Sequence, residues 1–307
     1  MNKLDFLCLG AQKAGTTTLH DILCKHPDIC LPKEKEILFF DVNEYFSKGL
    51  TYYLAFYEEF QAKCLVGNIS PNLQLDNRSI DRIIDSFGNK IKIIFIMRDP
   101  VYRAYSHYLM SLKRGYEDLS FLDAIEMERS RIENPKYHHG YVTRELGHFE
   151  KNHQGYIYRG RYSRSLEYLF KTFPKENIKI LYFEDLLSNR DKFIVDVLKF
   201  LNVSPAVELD ISRKSNTASA PKNLMIRDFI NKPNFVKKFV KNLLGPTFRR
   251  NIKMKLNKYN SRELSAIEKK LDLESYHFVY DTYFKSEINT VEKILGVSLS
   301  DKWTYRP

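Results

Sequence analysis

The chain has 307 residues, of which 43% are apolar and 28% charged, and its formal net charge is +11. This composition is that of a folded globular protein and excludes a disordered, collagen-like or coiled-coil chain. No apolar run approaches the roughly 18 residues that a membrane-spanning helix needs, and the first residues lack the pattern of a signal peptide. Neither a membrane-spanning nor a secreted protein is therefore expected.

The cysteines are Cys8, Cys24, Cys30 and Cys64. No two of them form a CxxC pair, and a chain of this length does not need disulfides for stability. Their spacing favours buried free thiols in a reducing compartment, and we predict a cytoplasmic location.

The N-terminal part of the chain alternates between short apolar runs and amphipathic segments. Strands are predicted at Leu4–Leu9, Cys64–Val66, Ile91–Met97 and Ile178–Phe183, and helices at Thr16–Cys24, Leu50–Phe60, Ser79–Phe87, Tyr162–Phe173 and Lys192–Leu201. Apolar strands separated by helices are typical of a parallel sheet in an α/β fold. The rest of the chain is helical and irregular, with a last helix predicted at Ile288–Leu295. We expect one domain over 1–307, with an α/β core at 1–203 and a helical C-terminal part at 204–307.

A glycine-rich segment from Gly10 to Thr18, G-A-Q-K-A-G-T-T-T, follows the first predicted strand and opens the first predicted helix. Its two glycines let the backbone curl, and the first N–H groups of the helix point into the curl. The threonine hydroxyls and Lys13 add further donors. The frame is similar to a Walker A loop, but Thr16 stands where that loop has its lysine. We interpret the segment as a phosphate site.

A second candidate phosphate site follows the strand predicted at Ile91–Met97. The pattern R-D-P-V-Y-R-A-Y-S places Arg98 at the strand end and Ser106 two turns into a helix that Pro100 would start. An arginine offers a planar fork of donors to a phosphate. Asp99 could instead imitate the magnesium-binding aspartate of an NTPase. A P-loop-like, ATP-dependent small-molecule kinase therefore stays open as an alternative.

Together these segments resemble the sulfotransferases that use 3′-phosphoadenosine 5′-phosphosulfate (PAPS), in particular the carbohydrate (heparan-sulfate-like) and bacterial branches. The glycine-rich segment resembles that family's 5′-phosphosulfate loop, and the Arg98 segment resembles its 3′-phosphate motif. Further matching segments begin at His26 (H-P-D-I), Lys35 (K-E-I-L-F-F-D), Gly160, Glu184 and Val291, in the family's order. The resemblance implies a P-loop-NTPase-like central parallel sheet flanked by helices, with a helical C-terminal extension.

The resemblance also implies a reaction and a set of site residues. A sulfuryl group would pass from PAPS to a hydroxyl or amine of a saccharide or glycolipid, leaving 3′-phosphoadenosine 5′-phosphate (PAP), without a metal. Lys13 would stabilise the leaving phosphate, and Glu36 would be the general base. The donor would be held by Lys13, Gly15, Thr16, Thr17, Thr18, Arg98, Ser106 and Lys222.

One segment departs from the family pattern. V-G-N-I-S-P-N-L resembles the family's G-E-x-S-P-x-Y, but Asn68 replaces the acid and Leu73 replaces the aromatic residue. Ile69 stands where some carbohydrate members have a lysine, so this loop does not supply a second catalytic lysine.

The positive charge is concentrated between Lys222 and Asn260, where eleven basic residues accompany one acid, Asp228. Apolar residues recur between these charges, and Phe235–Leu244 has the spacing of an amphipathic helix. Such a segment lies on an anionic membrane, binds an acidic polysaccharide, or packs its apolar face on the domain. We expect peripheral contact of 222–260 with an anionic membrane or polysaccharide. A nucleic acid is not expected, because no nucleic-acid-binding motif accompanies the charge. Besides the sulfotransferase and the kinase, a non-catalytic anion-binding or membrane-surface protein stays open as a further alternative.

Overall fold

The structure is a computed structural model that describes residues 3–32, 34–57, 64–138, 141–205, 219–231, 237, 245–265 and 270–305. These residues form two compact units that alternate along the sequence. The first unit contains the described residues of 1–103, 159–215 and 279–306, and the second contains those of 104–158 and 216–278. The organisation as one domain stays a prediction.

A five-stranded parallel sheet forms the centre of the first unit. Its strands are β1 (Phe6–Gly10), β2 (Ile29–Cys30), β3 (Leu65–Ile69), β4 (Lys92–Met97) and β5 (Ile178–Tyr182). They are arranged in the order β2-β3-β1-β4-β5, and all four pairings are parallel. All of β1 and all but the first residue of β4 are buried. Burial on both faces explains why their apolar runs are continuous, and the predicted α/β fold is confirmed.

The helices of the described chain flank this sheet or build the second unit. In order they are α1 (Thr16–Leu23), α2 (Asn43–Phe46), α3 (Leu50–Leu54), α4 (Asn77–Phe87), α5 (Pro100–Arg114), α6 (Phe121–Glu133), α7 (His148–His153), α8 (Ser163–Thr172), α9 (Phe183–Ser188), α10 (Arg190–Leu201), α11 (Leu224–Asn231), α12 (Pro246–Tyr259), α13 (Leu273–Val279) and α14 (Lys285–Leu295). The helix predicted at Leu50–Phe60 consists of α3 and a 3₁₀ turn at Ala55–Tyr57, and its last residues lie outside the described ones. None of the described helices is long and apolar enough to cross a membrane.

The second unit is helical, apart from an antiparallel pair of short strands. These are β6 (Ser219–Pro221) and β7 (Ser261–Glu263). Buried Arg227 on α11 donates to the Leu112 carbonyl at 3.0 Å and to Asp118 at 2.6 Å, which fixes α11 within this unit. The predicted amphipathic segment Phe235–Leu244 lies, except for Lys237, outside the described residues.

A disulfide joins Cys30 to Cys64, with Cα atoms 5.8 Å apart. The prediction that all four cysteines are free thiols is therefore wrong. Parallel pairing sets Cys30 opposite Val66, so Cys64 lies within reach although the two cysteines are 34 residues apart in sequence. Cys8 is a buried free thiol, whereas Cys24 is exposed. The cytoplasmic location stays a prediction. The cysteines no longer support it, because two of the four form a disulfide.

Candidate functional site

The glycine-rich loop joins β1 to α1 within the first unit. Gly15 is the N-cap of α1 at φ 86°, and no side chain caps the helix. A Cβ on Gly15 would lie 2.7 Å from Leu186 Cδ2 and 2.9 Å from Phe183 Cδ2, so glycine is required there for space as well as for conformation. The first N–H groups of a helix have no acceptor inside it and carry the positive end of its dipole. This end of α1 is therefore suited to an anion.

Arg98, from the second predicted phosphate motif, contacts Lys13 of this loop. Lys13 lies inside it at φ 71°, and its carbonyl oxygen accepts a hydrogen bond from Arg98 Nη1 at 2.9 Å. The Arg98 guanidinium also lies over the Phe183 ring, 4.7 Å from its centroid. Because β4 pairs directly with β1, the end of β4 brings Arg98 to the loop that follows β1.

Glu36 is placed against the same helix end by its neighbour. Lys35 Nζ donates to Glu36 Oε1 and to Thr17 Oγ1, both at 2.8 Å. The Glu36 side chain is 39% exposed, which leaves it accessible to an acceptor, whereas that of Lys35 is 20% exposed. Lys35 thus links the candidate base to the first turn of α1.

Backbone conformation singles out the two predicted catalytic residues, Lys13 and Glu36. Among the described non-glycine residues, only Lys13, Glu36 and Asn202 have positive φ, at 71°, 63° and 61°. Asn202 is the C-cap of α10, where this conformation is common. A left-handed conformation costs a residue with a Cβ about 1 kcal/mol, and such strain is often found at functional sites. The two candidate catalytic residues therefore share a feature that no local sequence pattern indicated.

Aromatic side chains hold the segment that follows Glu36. Phe39 and Phe40 are each 1% exposed, and their ring centroids lie 5.2 and 4.9 Å from that of Tyr53. The Tyr53 hydroxyl accepts a hydrogen bond from Asn68 Nδ2 at 3.0 Å. Asn68 therefore has a structural partner at the position where the family has an acid. Ile69 is part of the core, at 1% exposure.

Asp99 has the geometry of a helix cap. Its Oδ1 accepts hydrogen bonds from the N–H groups of Val101 at 2.8 Å and Tyr102 at 3.2 Å, in the first turn of α5. Its own N–H donates to Glu184 Oε1 at 3.1 Å. This is the usual contact of an N-cap aspartate, and it does not favour the kinase alternative. Within the described part of the chain, no group of three or more His, Cys, Asp or Glu side chains could hold a metal ion.

Comparison with known proteins decides the family. The sulfotransferase domain family model matches residues 3–264. The chain belongs to the sulfotransferase family. The resemblance found in the sequence is therefore confirmed.

Individual relatives of this sulfotransferase are distant. The membrane-associated sulfotransferase kil1 of Dictyostelium discoideum is 24% identical over 293 residues, covering 74% of this chain and 62% of that protein. Mouse heparan sulfate glucosamine 3-O-sulfotransferase 5 is 25% identical over 205 residues, covering 66% of this chain and 54% of its own. The chain thus spans less than two thirds of the length of these relatives. A sulfotransferase structure from Alicyclobacillus acidocaldarius matches with a TM-score of 0.65 at 20% identity, covering 98% of this chain and 99% of its own, which shows the fold.

The predicted site residues of the sulfotransferase fall in both units. Lys13, Gly15, Thr16, Thr17, Thr18, Glu36 and Arg98 belong to the first unit. Ser106 lies on α5 in the second unit, and so does Lys222, whose N–H donates to the Asn260 carbonyl at 2.7 Å. The Lys222 ammonium lies over the Tyr259 ring, 5.3 Å from its centroid. The roles of Ser106 and Lys222 toward the donor stay predictions.

Sequence reasoning about this sulfotransferase missed Lys35 and His20. Lys35 lies in a run of alternating charges typical of a solvated surface, although it begins the K-E-x-x-F-F-D motif. His20 lies one turn beyond Thr17 on α1. Burial and the nearby Lys35 charge lower the pKa of His20, which favours a neutral imidazole.

Replacing Lys35 with methionine is expected to lower kcat of this sulfotransferase by about 10- to 100-fold, with a smaller change in KM for the donor. The ammonium makes two charge-assisted contacts that hold the Glu36 carboxylate beside α1, and each such contact contributes about 1.5–3 kcal/mol. Steady-state kinetics of Lys35→Met and Lys35→Arg would measure the effect. Arginine should recover part of the activity, because it can reach both partners. An unchanged kcat in Lys35→Met would exclude a positioning role.

Proposed function

We propose that this sulfotransferase takes PAPS as its donor and transfers the sulfuryl group to a hydroxyl or amine of a saccharide or glycolipid. The observation that carries the proposal is the arrangement around the start of α1, where Lys13, Glu36 and Arg98 belong to one unit and Lys35 ties Glu36 to Thr17. The saccharide class is supported by relatives named for heparan sulfate, an acidic polysaccharide.

The residues present at the loop fit a phosphosulfate. Gly15 leaves the end of α1 without a side-chain cap, and a Cβ there would collide with α9. Lys13 adds a positively charged side chain to the same loop. Thr16 and Thr18 add hydroxyls in the same turn as Thr17. N–H donors, hydroxyls and a cation carried by one short loop are the usual surroundings of a bound phosphate.

The chemistry follows from the residues around this loop. PAPS, when bound, supplies the sulfuryl group, which leaves the bridging oxygen of the 5′-phosphate as the acceptor oxygen or nitrogen bonds to sulfur. Glu36 accepts the proton that the acceptor loses in this step. Lys13 stabilises the negative charge that develops on the departing phosphate. Lys35 holds the Glu36 carboxylate beside α1, so that the base and the donor loop stay together.

The donor assignment is tested by titration calorimetry of the full chain. PAP without metal and ATP with Mg²⁺ are the two ligands, because the 3′-phosphate distinguishes the sulfuryl donor from ATP. We expect PAP to bind and ATP to bind at least about tenfold more weakly. Preference for ATP would revive the kinase alternative, and binding of neither nucleotide would support the anion-binding alternative.

Replacing Arg98 with alanine is expected to weaken PAP binding by about 10- to 100-fold, because a hydrogen-bonded charge pair contributes about 1.5–3 kcal/mol. We assign the 3′-phosphate to Arg98, with Ser106 and Lys222 as further contacts. Calorimetry with adenosine 5′-phosphosulfate, which has no 3′-phosphate, separates this role from the support that Arg98 gives to the Lys13 carbonyl. If Arg98→Ala weakened the binding of both nucleotides equally, Arg98 would act only by supporting the loop and not by binding the 3′-phosphate. Arg129→Ala, which removes an 87% exposed arginine side chain, is the control.

The acceptor class is tested with ³⁵S-labelled PAPS. Desulfated heparan sulfate and a total glycolipid extract are offered in parallel, and we expect one of them to become labelled. If PAP binds but neither acceptor takes label, the donor assignment stands and the acceptor class is wrong.

We also propose peripheral contact of segment 222–260 with an anionic surface. The name of the membrane-associated relative kil1 supports this contact.

A further inference from the structure

Helix α12 presents an apolar stripe that the described chain does not cover. None of its described side chains is buried. Phe248, Ile252, Leu256 and Tyr259 recur every three or four residues and are 56%, 36%, 43% and 76% exposed. A helix of a globular protein ordinarily buries such a stripe against its own domain. The described residues therefore leave this stripe open to another surface.

Cations border the stripe on both sides. The 14 residues of α12 include five basic residues and no acidic one. At 100° per residue, Arg249 and Lys253 follow one edge of the stripe, while Lys255 and Lys258 follow the other. An apolar stripe between two rows of cations is typical of a helix that lies in the headgroup region of an anionic bilayer.

Helix α11 adds further exposed apolar side chains to the same unit. Leu224 is 56% exposed, Met225 82% and Ile226 43%. The two helices are held together at both ends. Asn223 and Asn260 exchange hydrogen bonds of 3.0 and 2.9 Å beside the β6–β7 pair, and Asn231 Nδ2 donates to Asn257 Oδ1 at 3.2 Å. Their exposed apolar side chains therefore belong to one structural piece.

Positive charge is crowded beside α12. Partial desolvation of its ammonium and the Arg114 charge lower the pKa of Lys253, and the same two causes lower the pKa of Lys113. Each cation here destabilises the charged form of its neighbour, so an anionic partner would relieve the repulsion. This crowding of positive charge favours an anionic partner for α12.

We infer that α12, with α11 beside it, docks the second unit on an anionic lipid bilayer. A polysaccharide or nucleic acid offers no apolar phase for Phe248, Ile252 and Leu256, and a second copy would bring like charges together. In a bilayer the apolar stripe enters the boundary between headgroups and acyl chains, and the lysine stems extend toward the anionic headgroups. This docking is the peripheral contact proposed above, here assigned to named residues, and it is independent of the donor and the acceptor.

Vesicle sedimentation of the full chain tests the docking. Phosphatidylcholine vesicles are compared with vesicles that contain about one third phosphatidylglycerol, without nucleotide. We expect at least about tenfold more binding to the anionic vesicles. Two double variants should each lose about tenfold or more of it: Ile252→Ser with Leu256→Ser, which removes the stripe, and Lys255→Glu with Lys258→Glu, which reverses the charge.

Matched controls use exposed side chains outside α11 and α12. Met127→Ser changes a 44% exposed apolar residue on α6, and Lys171→Glu reverses an exposed charge on α8. Both should bind vesicles as the natural chain does. Circular dichroism spectra that overlay that of the natural chain would show that the double variants are folded.

Three outcomes would overturn the inference. Anionic vesicles could bind no better than neutral ones, or folded stripe variants could bind as well as the natural chain. Sedimentation equilibrium could instead show a dimer that the Ile252→Ser, Leu256→Ser variant abolishes, which would assign the stripe to self-association. Glu36→Gln should bind vesicles normally, so failure of the proposed catalysis and failure of the docking are distinguishable.

Discussion

The Glu36→Gln variant is expected to lose about 10²- to 10⁴-fold in kcat while binding PAP as tightly as the natural chain. An amide cannot accept the proton that the acceptor loses, but it has nearly the size of the carboxylate. Its oxygen can still accept the hydrogen bond from Lys35, so the fold of the loop is retained. Transfer of ³⁵S from PAPS to the acceptor that takes label measures kcat, and calorimetry with PAP measures binding.

Glu34 provides the matched control, because it is an exposed carboxylate two residues away in the same charge run. Glu34→Gln should retain kcat within about twofold, since surface substitutions have small effects. A Glu36→Gln enzyme with near-normal turnover would remove Glu36 from the role of base. Equal losses in both variants would indicate that the charge of the run, and not one proton acceptor, is what matters.

The Lys13→Met variant is expected to lose about 10²- to 10³-fold in kcat, the usual cost of removing one preorganised donor to a developing charge. Methionine keeps an unbranched side chain of similar length, so the variant mainly removes the ammonium. Because the departing phosphate is more negative in the transition state than in the bound donor, the loss should be larger in kcat than in PAP affinity. Steady-state kinetics and PAP calorimetry on the same preparation separate the two.

Lys25→Met is the control for Lys13→Met, since Lys25 is exposed just after α1 and outside the loop. It should leave both kcat and PAP affinity unchanged. If Lys13→Met weakened PAP binding but retained kcat at saturating donor, Lys13 would be a binding residue only. The developing charge would then have to be stabilised by another cation, of which Lys35 is the nearest to Thr17.

Several features of this protein were determined by the sequence alone. The parallel sheet could be predicted because strands buried on both faces must be apolar along their whole length, as in Ile91–Met97. The anion loop could be predicted because Gly15 and the residues after it are consecutive, and a helix start depends on its immediate neighbours. The order of short motifs, from the glycine-rich segment at Gly10 to the segment that begins at Val291, indicated the family, and the family model that spans 3–264 confirmed it.

Other features appeared only once distant segments were packed. Lys35 reaches Thr17 across 18 residues, and Cys30 meets Cys64 because β2 pairs with β3. The same alternation of charges or spacing of cysteines could have been solvated or unpaired in another fold. Asn68 likewise gained its partner only when Tyr53 packed beside it.

The exposed stripe of α12 is another feature that the sequence alone did not decide. The pattern of Phe248, Ile252 and Leu256 predicts an amphipathic helix, but it is identical for a helix packed on its own domain and for one that faces outward. Only the exposure of these side chains in the tertiary structure distinguishes the two. Hydrophobic periodicity specifies which face must leave water, whereas the tertiary structure decides whether the protein itself or an outside partner covers that face.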